Sequence, residues 1–127
     1  TLEEINQLGL KIDPTHSSGL DYYPLSSIGE RFPIADPDYL PHLSPRPDKP
    51  HHFLQGILEG LTQIELEGYR LMTRLGAPTP KRILSAGGGT KNQAWMALRE
   101  QHSPWPTFKA QTPEAAFGAA LLGQSRV

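Results

Sequence analysis

The longest regular pattern of hydrophobic positions in the chain lies between residues 49 and 76. Apolar residues or glycine recur there at spacings of three and four, the period of one face of an α-helix. The positions are Leu54, Ile57, Leu61, Ile64, Gly68, Leu71 and Leu75. The pattern predicts one long helix that ends at Gly76, because Pro78 and Pro80 prevent its continuation. We expect this face to pack on a part of the protein outside the chain or on another subunit.

Three glycines interrupt the predicted helix, at Gly56, Gly60 and Gly68. Each lowers helix propensity by about 1 kcal/mol relative to Ala. A helix keeps such residues where a neighbour must come close, so we expect another stretch of backbone to approach this helix.

The first 48 residues have a different character. Residues 1–9 are predicted to form a short helix, which Thr1 caps together with Glu4 and which Gly9 ends. Most of the 13 prolines then fall in residues 10–50, which predicts an ordered but irregular segment. We therefore divide the chain into a Pro-rich irregular segment with a short N-terminal helix, residues 1–48, and an α/β portion, residues 49–127.

The α/β portion alternates helices and strands. After the long helix, the pattern predicts a strand at 81–86, a helix at 90–101 capped by Thr90, and a strand at 106–111. A last helix begins at Thr112-Pro113-Glu114 and ends at Gly123. This order predicts an α/β fold with a parallel pair of strands. Two short strands do not make an independent sheet, so further strands are expected from outside these residues.

The turn between the first strand and its helix is the strongest functional pattern. An apolar run leads into Gly87, Gly88 and Gly89, and a helix follows. This order brings backbone N–H groups close to a phosphate, because glycine has no Cβ and the helix start carries partial positive charge. It predicts a nucleotide or another phosphorylated ligand, with a tight turn that binds nothing as the alternative.

Two residues after the turn favour the ligand. Asn92 lies in the first helical turn, where its amide can reach a phosphate or ribose oxygen. Trp95 follows on roughly the same face and could form a wall of a base-binding slot, or else be a core aromatic. The spacing of Lys91 does not fit a P-loop. Asn92 and Gln111 replace the glycine and the acid of a dinucleotide fingerprint, which disfavours a nicotinamide-dependent oxidoreductase.

Composition and charge narrow the remaining classes of function. The 12 basic and 13 acidic residues are interspersed, so no stripe indicates nucleic acid or a membrane surface. The absence of cysteine excludes thiolate chemistry and fits a cytoplasmic protein.

Adjacent His51 and His52 point apart on a helix, so no metal site is predicted. Turn chemistry explains Asp36-Pro37-Asp38. A solvated helix face is predicted for Glu65, Glu67, Arg70 and Arg74.

Five segments together resemble the FGGY carbohydrate kinases, which belong to the sugar kinase–actin–Hsp70 superfamily. They are Tyr23-Pro24-Leu25, Gly29-Glu30-Arg31-Phe32-Pro33, Leu58-Glu59-Gly60, the stretch from Ser85 to Trp95, and the stretch from Pro113 to Leu122. Within the family, the chain is most similar to cyanobacterial and plant pentulose kinases. The first residue is Thr1, and we expect the chain to be part of a longer polypeptide.

The resemblance implies a fold and a function. Family members have two RNase H-like, actin-like domains around a cleft and transfer the γ-phosphate of ATP, with Mg²⁺, to a sugar hydroxyl. This chain looks like the later part of the C-terminal domain of a kinase for a ketopentose, D-ribulose or D-xylulose. The implied nucleotide residues are Gly87, Gly88 and Gly89 at the phosphates and ribose, Asn92 as a hydrogen-bonding group, and Trp95 beside the adenine.

The resemblance also implies what this chain does not carry. The catalytic Asp and the sugar-binding residues belong to the N-terminal domain, so no catalytic residue is expected among residues 1–127. Half a site cannot position the transferred phosphoryl group. We therefore expect the chain alone to be inactive as a kinase. The alternative is a non-catalytic, actin-like module that binds nucleotide or a partner protein. A homo-oligomer is compatible with either.

Overall fold

The computed structural model describes residues 1–111 and 115–124 of the chain. Its elements are α1 (Leu2–Gly9), α2 (Pro50–Arg74), β1 (Ile83–Ser85), a 3₁₀ turn (Gly88–Lys91), α3 (Gln93–His102), β2 (Thr107–Lys109) and α4 (Ala115–Gln124). β1 and β2 pair in parallel, with Ile83 opposite Thr107. The predicted α/β order and the parallel strand pair are therefore confirmed. The predicted helix start at Thr112-Pro113-Glu114 lies outside the described residues, and α4 continues past Gly123.

Helix α1 forms as its sequence predicts. The Thr1 hydroxyl accepts from the Glu4 N–H at 3.2 Å, and the Thr1 amino group donates to the Glu4 carboxylate, which completes a capping box. The helix ends at Gly9 and packs on both α2 and α3. At Gly9 a Cβ would lie 3.2 Å from that of Ala94, so the small residue lets α1 lie close to the start of α3.

Helix α2 is the predicted long helix. Its apolar stripe is half-buried or exposed apart from the buried Gly68, and Leu75 at its end is 77% exposed, so the rest of the chain covers a different face. The buried positions on the opposite side of the helix are Gln55, Leu58, Glu59, Thr62 and Leu66. Polar residues are tolerated there because their groups are hydrogen-bonded: Glu59 accepts from Gln55 and from both the N–H and the hydroxyl of Ser18.

The irregular segment that contributes Ser18 lies along α2. At Gly60 a Cβ would be 2.5 Å from the carbonyl oxygen of Tyr22, which confirms the expected approach of a backbone. At Gly56 and Gly68 the approaching groups are side chains instead, those of Tyr22 and Phe32 among them. The buried Tyr22 donates its phenol hydrogen to the carbonyl of Pro45. The three glycines therefore form a groove for this segment.

The core lies between α2, α3 and the small sheet. Its hydrophobic members there are Leu58 and Leu66 of α2, Ile83 of β1 and Leu98 of α3. Side chains alternate along β1, so Ile83 and Ser85 are buried while Leu84 between them is 56% exposed. Among the described residues, no helix is both long enough and apolar enough to cross a membrane.

Candidate functional site

The turn that follows β1 leaves its main chain open. At Gly87 the backbone has φ +90°, a conformation that side-chain-bearing residues rarely adopt. A Cβ at Gly87 or at Gly88 would meet no described atom within 4 Å. The 3₁₀ turn then begins at Gly88. A ligand can therefore approach the backbone of these two glycines directly, as the sequence predicts.

Gly89 has a different environment. A Cβ there would lie 2.5 Å from Cζ3 of Trp95, because the indole ring packs on the main chain at this residue. The third glycine is therefore needed for internal packing. The glycine run combines two positions where a Cβ would meet nothing with one where the indole occupies the Cβ side.

The cap of α3 is Asn92, whereas the sequence predicted Thr90. The Asn92 side-chain oxygen accepts from the N–H of Trp95 at 3.0 Å. Thr90 is buried and its hydroxyl donates to the carbonyl of Gly87 at 2.8 Å, which closes the turn. The prediction failed because both residues are good caps and the intervening 3₁₀ turn, which no local pattern indicated, moves the helix start along the chain.

The structure places Trp95 and Asn92 in two different cavities. Trp95 lines a cavity of about 440 Å³ together with Ser85, Gly89, Thr90 and Arg99. The Nε1 atom of Trp95 is buried and has no hydrogen-bond partner among the described residues. Asn92 lines a separate cavity of about 420 Å³ between α1 and the start of α3. The two residues therefore line different cavities. The first includes Gly89 of the glycine turn, and the second includes Lys91 at the end of the 3₁₀ turn.

An ion pair that the sequence did not indicate forms one wall of the Trp95 cavity. Arg99 donates to Glu65 from Nε at 2.7 Å and from Nη2 at 2.6 Å, and from Nη1 to the hydroxyl of Ser85 at 2.5 Å. The Arg99 side chain is 10% exposed and that of Glu65 is 23% exposed. The prediction that Glu65 belongs to a solvated face is therefore wrong, because a partner 34 positions away along the chain removes it from solvent.

The surroundings of the Glu65–Arg99 pair shift the pKa of the Tyr69 phenol. Burial raises the pKa of Tyr69, and the nearby Glu65 carboxylate raises it further, against a smaller opposing effect of Arg99. Tyr69 lines the same cavity and also packs edge-on against Trp105 at 5.8 Å between ring centroids. It therefore stays a neutral hydrogen-bond donor at physiological pH.

The other polar residues that the sequence analysis singled out make hydrogen bonds or ion pairs within the fold. His52 has Nε2 2.8 Å from the carbonyl oxygen of Ser18, so it helps to hold the irregular segment. The amide of Asp38 donates to Asp36, which confirms the turn. Glu67 pairs with Arg74 at 2.6 Å on the exposed side of α2. Residues 1–111 and 115–124 contain no group of three or more His, Cys, Asp or Glu side chains that could hold a metal ion.

Comparisons with known proteins agree with one another. The model of the FGGY family of carbohydrate kinases, C-terminal domain, matches residues 2–125. A protein of Bacillus subtilis (strain 168) named xylulose kinase is 32% identical over 126 residues. This alignment covers 94% of the chain and 25% of that protein, so the chain spans about a quarter of the length of this relative. The chain therefore belongs to the FGGY family of carbohydrate kinases and matches its C-terminal domain.

Proposed function

We propose that the chain is the nucleotide-binding part of an ATP-dependent kinase that phosphorylates a ketopentose. The observation that carries the proposal is the open main chain at Gly87 and Gly88, between the end of β1 and the start of α3. Backbone N–H groups at such a turn bind phosphate oxygens. Family membership supports sugar phosphorylation, and the xylulose kinase from Bacillus subtilis supports a ketopentose such as D-xylulose or D-ribulose.

In this proposal the glycine turn binds the phosphates and ribose, and a cavity beside it takes the base. Gly87, Gly88 and Gly89 line the turn. Trp95 would border the adenine if the base enters the 440 Å³ cavity. Asn92 would donate from its amide nitrogen, which makes no hydrogen bond within the described structure, if the nucleotide extends toward the cavity beside α1.

The proposed reaction needs groups that the described residues do not offer. Among them, no carboxylate cluster could hold Mg²⁺, so the ion would arrive on the nucleotide's phosphates. Transfer of a phosphoryl group requires charge stabilisation and positioning from both sides. We therefore propose that this chain alone does not phosphorylate a sugar. The actin-like architecture of the whole domain, a cytoplasmic location and a homo-oligomeric state also stay predictions.

Calorimetric titration of the full chain with Mg-ADP, and separately with NADH, tests the proposal. We expect ADP to bind and NADH not to bind. Gly88→Ala should weaken ADP binding without loss of stability, because its methyl group enters the space that the ligand needs. NADH binding, or ADP binding that Gly88→Ala leaves unchanged, would contradict the proposal.

Two further variants locate the base. Trp95→Ala should weaken ADP binding if the base lies in the Trp95 cavity. Asn92→Ser keeps a good helix cap but removes the amide, so it should weaken binding if the nucleotide uses the cavity beside α1. An assay with ATP, Mg²⁺ and D-xylulose or D-ribulose should give no sugar phosphate with the chain alone, and a normal rate would refute that part of the proposal.

A further inference from the structure

We propose that Arg99 is a positioning residue of the nucleotide site, which it holds in shape through Ser85 and Trp95. The inference rests on the proposed function, because it assigns Arg99 a role in nucleotide affinity. Its guanidinium group makes two hydrogen bonds to Glu65 and one to Ser85. It is therefore committed to protein partners and would act on the ligand through them.

The three elements that Arg99 joins are the ones that form the site. Ser85 is the last residue of β1 and lies two positions before Gly87. Trp95 is one helical turn before Arg99 in α3 and packs on Gly89. Glu65 belongs to α2, which packs on α3. A change in how Arg99 is held would therefore move both ends of the glycine turn relative to each other.

The geometry of the Glu65–Arg99 pair is better suited to orienting the Trp95 ring than to stabilising the fold. Arginine bonded to a carboxylate through two N–H groups has a fixed plane, which lysine cannot reproduce. The guanidinium carbon of Arg99 lies 5.5 Å from the centre of the Trp95 ring. Buried ion pairs add little stability compared with well-packed apolar groups. The fixed plane of the Arg99 guanidinium group beside the indole instead defines the position of the Trp95 ring against Gly89.

The chain offers a matched control on the exposed side of α2. Arg74 also pairs with a glutamate, Glu67, at 2.6 Å, but both side chains are about half exposed, at 58% and 44%. Neither residue lines the Trp95 cavity. Arg74→Lys therefore makes the same chemical change as Arg99→Lys, away from the site.

The experiment uses Trp105→Phe as the background, since Trp95 is then the single tryptophan of the chain. Acrylamide quenching and near-ultraviolet circular dichroism report on the indole, and calorimetry gives the dissociation constant for Mg-ADP. We expect Arg99→Lys to weaken ADP binding about three- to thirtyfold, the range that coupling through packed residues produces. Quenching of Trp95 should increase in parallel. Arg74→Lys should change neither readout.

Ser85→Ala is the second variant, in case Arg99→Lys does not fold. It keeps the Glu65–Arg99 pair and removes only the link to β1, so it should weaken ADP binding in the same direction but less. Unchanged affinity and unchanged quenching in folded variants would overturn the inference and leave the proposed function intact. If neither the wild type nor the background protein binds ADP, the proposed function itself is refuted, and the inference with it.

Discussion

The indole ring of Trp95 lies against the Cβ side of Gly89, with ring atoms Cζ3 and Cε3 2.5 and 3.2 Å from where a Cβ would stand. The neighbouring Gly88 has no such cover within the described structure. Two adjacent glycines therefore serve different purposes. One allows the tryptophan to pack, and the other leaves backbone free for a ligand.

Gly89→Ala tests the packing role. The added methyl group must displace the ring of Trp95, so we expect a loss of about 1–3 kcal/mol in the free energy of unfolding, as for other overpacked sites. Denaturant unfolding followed by circular dichroism measures it. Gly88→Ala is the control and should change stability by less than about 0.5 kcal/mol. Equal effects of the two substitutions would show that Trp95 does not stand over Gly89.

Gly60→Ala tests the contact between α2 and the irregular segment. Alanine raises helix propensity by about 1 kcal/mol, which alone would stabilise the protein. The new methyl group would instead meet the carbonyl oxygen of Tyr22 at 2.5 Å, a backbone atom. We expect a net loss of about 2 kcal/mol.

Gly123→Ala in α4 provides the comparison, because a Cβ there meets no described atom within 4 Å. It should leave thermal and denaturant midpoints unchanged or slightly raised. Stabilisation by Gly60→Ala would mean that the irregular segment does not lie against α2 at this point.

Glu65→Gln tests the energetic difference between the part-buried ion pair with Arg99 and the exposed ion pairs of Glu67. Removal of one charge of a buried pair costs about 3–5 kcal/mol. Since the Glu65 side chain is 23% exposed, we expect a smaller loss, about 2 kcal/mol. Glu67→Gln breaks the exposed pairs with Arg74 and Arg70 and should cost at most about 1 kcal/mol. Similar losses in urea unfolding would indicate that Arg99 is as solvated as Arg74.

Asp13 should contribute to stability in a pH-dependent way. Hydrogen bonds from the hydroxyl and the N–H of Thr15, and from His16, lower the pKa of Asp13 from 3.8 to about 2. In the relevant range the unfolded state binds more protons, so stability rises with pH. The contribution is present above the unfolded value and is lost as the pH falls toward about 2.

Unfolding of the wild type and of Asp13→Asn from pH 2 to pH 6 measures this contribution. The difference in stability should be greatest above pH 4 and should disappear near pH 2. Asp48→Asn removes an exposed carboxylate that makes no hydrogen bond in the described part of the chain, and so controls for net charge. A pH-independent difference would contradict the shifted pKa.

Several elements were predictable because their causes are local. The capping box at Thr1 and Glu4 lies within four residues of sequence. Pro78 and Pro80 prevent a helix from continuing through them, and the three-and-four spacing indicates a helix whatever packs on it. The glycine turn between a strand and a helix follows from the same kind of signal. These features, together with the family, were available from the sequence alone.

Tertiary structure decided the rest, because the physical cause in each case is a contact between distant positions. The buried face of α2 carries Gln55 and Glu59, which are stable there because Ser18 donates to Glu59 and the carbonyl of His16 accepts from Gln55. Glu65 leaves solvent because Arg99, 34 positions later, meets it. Hydrophobic periodicity predicts that a helix forms, but it cannot show which polar side chains will find a hydrogen-bond partner.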